Sequence, residues 1–326
     1  MLKLDFQLVT NYPNISLQKI HRFLFCCTKL FFEISQKSFI SIKKYEFHKK
    51  HIPKNIHSEQ NSVKTTSNYF FSRKLSKNVR IDIYLPPSYF THKKRKYPVL
   101  FFNDGQDMEA VNLVSTLEKL YAKKQVKELI VFAFHPYNRM QEYGTQSTAD
   151  YAGRGSQSQV YQEFLMAEYL PVIKKEYKLS DAPQDWAIAG FSLGGLSAFD
   201  IAWNYDAIFG KVGVFSGALW WRSVAFKEED PDADRIVHDY VEAAENSANL
   251  KFWFQTGTND ETDDRNNNGI IDSIDDTTDL IGLLKESGVS DADIVYREVE
   301  KGEHNPKTWG EVLPEFLVWA FDYNNY

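Results

Sequence analysis

Ser192 lies in Gly190-Phe191-Ser192-Leu193-Gly194, a G-x-S-x-G spacing between an apolar run (WAIAGF) and a stretch with helical periodicity. A tight strand-to-helix turn brings backbone segments together, so glycine is needed where a Cβ would clash. Such a turn lifts a serine hydroxyl above a sheet at the start of a helix. Backbone N–H groups and the positive dipole end there favour a developing oxyanion. The pattern suits a nucleophile. A buried glycine turn with a bystander serine would share it, so the rest of the chain must supply the partners.

A serine nucleophile needs a base, and the base needs an orienting carboxylate, in the chain order Ser, acid, His. Two histidines follow Ser192. His238, in RIVHDYVEAAE, falls inside a helical pattern and is expected at the surface; His304, in EKGEHNPKTW, follows the last strand pattern and is the expected base. In LKFWFQTGTNDETDD, Asp260 comes first after a strand and the turn-forming Gly257, which makes it the expected acid, with Glu261 and Asp263 as competitors. The expected oxyanion donors are the N–H groups of Leu193 and, from the NDGQ turn, Gln106. His135, Arg139 and Glu142 in HPYNRMQEYG, together with Trp220 and Trp221, are the candidate substrate-binding side chains. Their structural alternatives are a satisfied histidine, an arginine–carboxylate brace (with Arg154 nearby) and aromatic packing.

DRNNNGIIDSID has calcium-loop spacing: Asp264, Asn266 and Asn268 at positions one, three and five, Gly269 at six, the Ile270 carbonyl at seven, Asp272 at nine and Asp275 at twelve. Asp275 replaces the usual glutamate. A structural Ca2+ steadying the acid loop is the expectation, against a solvated Asx-rich turn.

Positioning these groups requires a sheet. VRIDIYL alternates apolar and polar residues and stops at Pro86-Pro87, whereas KYPVLFFNDG, ELIVFAFHP, WAIAGFS, KVGVFSGAL and LKFWFQTG are apolar runs, with DIVYREVEKGEH last. Helical patterns lie between them at 110–123, 161–177 (with Pro171 expected to kink or break it), 193–205, 234–246, 277–287 and after Pro306. Strands alternating with helices imply an α/β fold, a mostly parallel sheet covered by helices on both faces. Reactive groups belong at the carboxyl ends of its strands.

The 326 residues carry a net charge of −6, but residues 1–60 carry +6 and the remainder −12. That balance points away from nucleic acid. Both cysteines, Cys26 and Cys27, lie in the basic leader, so the rest must rely on its apolar core. Residues 1–65 are expected to be a poorly ordered extension and 66–326 one domain. FLFCCTKLFF is too short and charged to span a bilayer and lacks a convincing cleavage site. No membrane association and a cytoplasmic location are expected, and oligomeric state stays open.

YPVLFFNDGQDM, GFSLGGLSAF, VGVFSGALWW, FQTGTND and GEH together resemble the putative-esterase branch of the α/β-hydrolases, which holds feruloyl, acetyl xylan and enterochelin-type esterases. The resemblance spans about residues 66–326 and implies an α/β-hydrolase fold with the triad on Ser192, Asp260 and His304. NDGQ replaces the His-Gly-rich oxyanion loop of many relatives. The implied activity is a serine carboxylic-ester hydrolase acting through an acyl-enzyme on a small-molecule or saccharide-linked ester, with no cofactor for catalysis. An acyltransferase would use the same residues, and a non-catalytic saccharide-binding protein would keep only the fold.

Overall fold

The computed structural model describes residues 62–244 and 249–323. Eight strands form one sheet: β1 (Lys64–Ser72), β2 (Lys77–Leu85), β3 (Val99–Phe102), β4 (Ile130–His135), β5 (Trp186–Phe191), β6 (Lys211–Phe215), β7 (Lys251–Asn259) and β8 (Ile294–Glu303). Their order is β1-β2-β4-β3-β5-β6-β7-β8. β1 pairs antiparallel with β2 and β2 with β4, and every later pairing is parallel. The helices are α1 (Leu113–Ala122), α2 (Arg139–Glu142), α3 (Ser158–Glu163), α4 (Leu170–Glu176), α5 (Leu193–Asn204), α6 (Ile236–Glu242), α7 (Asp272–Glu286) and α8 (Pro306–Phe321).

Why the central strands read as unbroken apolar runs is visible in their side chains. On β3, Val99 and Phe101 enter one core while Leu100 and Phe102 enter the other; on β5, Trp186 and Ile188 oppose Ala187, Ala189 and Phe191. The first core holds residues of α3, α5, α6 and α7, and the second residues of α1 and α8. With both faces covered, strand alternation is apolar against apolar. This is the expected α/β-hydrolase architecture.

The local differences have local causes. β1 has no apolar signature because most of its side chains are exposed; its nine-residue pairing with β2 makes it a strand. It begins at Lys64, just before the expected boundary at 66. The expectation for residues 1–65 lies, up to residue 61, outside the described residues. A π-helical turn, Phe164–Tyr169, separates α3 from α4, and Pro171 stands in the first turn of α4. Proline supplies no N–H to the preceding turn, so the hydrogen-bond ladder is irregular just before Pro171, but helical backbone runs on without interruption from Ser158 to Glu176 rather than breaking. Among the described residues no helix is long and apolar enough to cross a membrane.

The connection leaving β3 goes to β4 on one side, and that leaving β5 goes to β6 on the other. A crevice opens at the carboxyl ends where connections diverge. That switch point lies between Asn103, after β3, and Ser192, after β5.

Candidate active site

Ser192 occupies the turn between β5 and α5 with φ 53° and ψ −122°, a conformation side-chain-bearing residues rarely adopt. Its N–H donates to the Phe215 carbonyl (2.8 Å), and its own carbonyl accepts from Gly195, Leu196 and Ala218 (2.9, 3.1 and 3.1 Å). The turn is too close for a Cβ at Gly190, which would collide with the Gly194 carbonyl, or at Gly194, which would collide with the Asp104 carboxylate. Leu193 is the first residue of α5, so its N–H has no acceptor within the helix.

The turn after β3 grips this elbow. Buried Asn103 donates through Nδ2 to the Gly194 carbonyl (2.9 Å) and accepts through Oδ1 from the Tyr161 hydroxyl (3.0 Å). Asp104, buried with φ 62°, accepts from Arg139 Nε (2.6 Å) and Nη2 (3.2 Å), and its N–H donates to the Tyr143 hydroxyl (2.8 Å). Arg139 Nη2 also donates to the Phe191 carbonyl, one residue before Ser192 (3.0 Å). Gln106 sits in the 3-10 turn Gly105–Asp107, with its side-chain amide donating to Asp104 and Asp107 (3.0 and 3.1 Å). Asn103, Tyr143 and Tyr161 escaped sequence reading; only the turn-forming Asn-Asp pair after a buried strand hinted at this grip.

Strand register brings Asp260 and His304 to neighbouring strand ends. Asn259 on β7 pairs with Glu303 on β8, so Asp260 and His304 leave the sheet side by side. Close approach of the chains there excludes a Cβ at Gly257, which would collide with the Gly302 carbonyl. Burial pushes the Asp260 carboxyl upward in pKa, opposed by the Gly257 backbone, the Ser216 hydroxyl and His304. Burial lowers the His304 imidazole, with Asp260 opposing and the Arg139 cation assisting. A neutral imidazole beside a carboxylate can accept a hydroxyl proton. The loop bearing His304 is tied to α8: Asn305 Oδ1 caps it by accepting from Thr308 N–H (3.1 Å), and Thr308 Oγ1 accepts from Glu303 N–H (2.9 Å).

The competing acids lie on the loop that leads to α7. Glu261, with its pKa raised to about 7 chiefly by burial, accepts from the Ser273 N–H, and the Asp263 carbonyl accepts from Asp272 N–H.

Several residues expected to face substrate or solvent have partners within the fold. His135 Nε2 pairs with Asp82 Oδ2 (2.7 Å), which also binds Arg80, so the ring braces β4 against β2. Glu142 is fully buried and accepts from Lys77 (2.9 Å) and the Tyr137 and Asn138 N–H groups (3.1 Å each). Arg139 joins Asp104 beneath the elbow. Trp221 is wholly within the core, whereas Trp220 is 38% exposed. Arg154 lies over both tryptophan rings (5.2 and 4.9 Å) and pairs with Asp150. His238 is buried rather than on the surface: its Nε2 meets the Asp276 carbonyl (2.8 Å), and burial lowers its pKa to about 3.

The expected calcium loop is closed by its own hydrogen bonds. Asn266 and Asn268 donate through Nδ2 to Asp275 Oδ2 (3.0 and 2.8 Å), and Asp264 accepts from the Asn268 and Gly269 N–H groups (3.1 and 2.9 Å). Asn268 Oδ1 accepts from Ile270 N–H (2.7 Å), and Asp272 from Arg265 N–H (2.8 Å). Among the described residues no group of three or more His, Cys, Asp or Glu converges as a metal site. The expectation of bound calcium therefore gains no support; the turn made by Gly269 at φ 85° satisfies itself.

A model of the family described as Putative esterase matches residues 72–320. YbbA, an uncharacterized protein of Bacillus subtilis (strain 168), is 30% identical over 152 residues, 45% of this chain and 60% of YbbA, so the match spans less than two thirds of that relative. YjcH of the same organism, also uncharacterized, is 26% identical over 250 residues, 76% of this chain and 93% of its own. The structure of a ferulic acid esterase superposes with a TM-score of 0.63 at 20% identity, covering 80% of this chain and 98% of that one. The enterobactin esterase FES from Shigella flexneri gives 0.60 at 19% identity, covering 79% of this chain and 59% of that one.

Proposed function

The chain belongs to the Putative esterase family, and we propose that it hydrolyses carboxylic esters with Ser192 as nucleophile, His304 as base and Asp260 as the orienting carboxylate. One observation carries this reading. β5, β6, β7 and β8 are consecutive neighbours in the sheet, and the three residues immediately follow β5, β7 and β8.

Ser192 Oγ attacks the ester carbonyl carbon as His304 accepts its proton, and the carbonyl electron pair moves to oxygen. The Leu193 N–H, in the role already assigned to it, and the Gln106 N–H hold that oxyanion. Its collapse breaks the bond to the alcohol, which leaves with the proton from His304. Water then attacks the acyl-enzyme, His304 takes its proton and returns it to Ser192, and the carboxylic acid departs. Asp260 stabilises the imidazolium each time it forms. These steps call on no cofactor. The exposed Trp220 ring with the Arg154 guanidinium across it favours a small-molecule ester, free or saccharide-linked, that offers an aromatic or anionic group.

Hydrolysis of p-nitrophenyl esters from acetate to octanoate, beside fluorophosphonate labelling, tests the reading. Ser192→Ala should lose label and at least about 10⁴-fold in kcat. A folded Ser192→Ala protein that still hydrolyses the ester would sink it.

A further inference from the structure

We propose that Ser216 and Trp309 are positioning residues for the triad: the Trp309 indole fixes the Ser216 hydroxyl, which donates to Asp260. The inference rests on the esterase reading above. Phe191 pairs with Phe215, so Ser216 leaves β6 beside Ser192 leaving β5. Ser216 is 1% exposed, at φ 44°, with its N–H donating to the Gln255 carbonyl (2.7 Å). Trp309 Nε1 donates to Ser216 Oγ across 3.0 Å. Indole nitrogen is a donor only, so Oγ accepts and its own proton must go elsewhere.

Asp260 supplies the destination. It is 9% exposed, and neither carboxylate oxygen meets a donor at full hydrogen-bond geometry among the described residues. Buried carboxylate oxygens left without donors are costly. Phe215 pairs with Gln255, so Ser216 leaves the sheet beside β7, the strand that ends just before Asp260, and its hydroxyl is among the groups that oppose the rise in that carboxyl's pKa.

Trp309 also reaches the other two members. Its ring stacks on Phe191, next to the nucleophile (4.7 Å, 8°), and meets the His304 ring edge-on (5.4 Å, 80°). One side chain thus touches the nucleophile strand, the base and the hydroxyl beside the acid. The other groups whose charge bears on the pair are Arg139, a cation acting on His304, and the Tyr296 phenol, coupled to Asp260 but raised to about 12 and so neutral across the relevant range.

The test measures kcat, KM and the pH profile of p-nitrophenyl acetate hydrolysis, with Tm, for Ser216→Ala, Ser216→Gly, Trp309→Phe and Ser216→Ala/Trp309→Phe. Removing a donor from an anion leaves the Asp260–His304 pair with a higher proton affinity, so the acid limb should rise. The expected changes are about tenfold in kcat, little in KM, and an acid limb higher by about 0.5–1 pH unit. In the acid limb the double variant should go no further than Ser216→Ala, because Trp309 reaches Asp260 only through that hydroxyl, whatever kcat it loses through its ring contacts to Phe191 and His304. Glycine accepts φ 44° without strain, so a merely conformational role predicts wild-type kcat for Ser216→Gly; the proposal predicts the same loss as in Ser216→Ala. An unmoved acid limb, wild-type kcat in Ser216→Gly, or additive acid-limb shifts in the double variant would overturn it. Activity surviving in Ser192→Ala would instead remove the reading beneath it.

Discussion

Gly190→Ala should disable the enzyme without touching any reacting group. The new Cβ would lie 2.9 Å from the Gly195 nitrogen and nearer still to the Gly194 carbonyl, where ordinary contacts begin at 3.4 Å. Both obstacles are backbone, and α5 is held from behind by the bond from Asn103 to the Gly194 carbonyl. The elbow must open by about 0.5 Å at the amide and about 1 Å at the carbonyl, and a misplacement of that size costs about 10²-fold in rate. Overpacking should also cost about 1–3 kcal/mol of stability. Gly282→Ala is the control: nothing lies within 4 Å of a Cβ there, and alanine in a helix interior should stabilise by about 0.5–1 kcal/mol. Steady-state kinetics and urea unfolding of both variants make the comparison. If Gly190→Ala keeps kcat/KM within a few-fold of wild type, the claim that contact at the elbow sets the nucleophile's position is wrong.

Two further outcomes follow from other strained or buried groups. Ser192 at φ 53° and ψ −122° stores about 1–3 kcal/mol, so Ser192→Gly should melt higher than Ser192→Ala although the proposed role of Ser192 predicts that both lose activity; equal melting temperatures would refute the strain. Asp200, buried on α5, accepts from Gln146 N–H (2.8 Å) and Gln162 Nε2 (2.5 Å), and burial raises its pKa from 3.8 to about 6. The folded state therefore binds that proton more tightly than the unfolded chain, and stability is gained as pH falls through 6. Relative to Asp200→Asn, wild type should gain about 1.4 kcal/mol in urea unfolding between pH 7 and pH 5, and a flat difference would contradict this.

Strands buried on both faces were legible because burial leaves apolar runs, and turn residues mark their ends. β1 was not, since KTTSNYFFS exposes most of its side chains and owes its form to a partner. The helical pattern around His238 was legible, but periodicity says only which residues share a face. It does not say that α7 will cover that face, with the Asp276 carbonyl meeting the imidazole. Glu142 and Trp221 fail for a related reason: a charge or ring just beyond a strand can turn toward substrate or toward the core, and only the packing of other segments decides. Ser216 and Trp309 lie 93 positions apart, and their hydrogen bond has no local signature.

From the sequence alone came the residue types, their order and their places at strand ends, because elbow glycines and buried strands are local requirements. Tertiary structure decided which strands are neighbours and in what register. Pairing Asn259 with Glu303 sets Asp260 beside His304, and pairing Phe191 with Phe215 sets Ser192 beside Ser216. Those juxtapositions arise from covering both faces of the sheet with segments distant along the chain, a condition no short stretch contains.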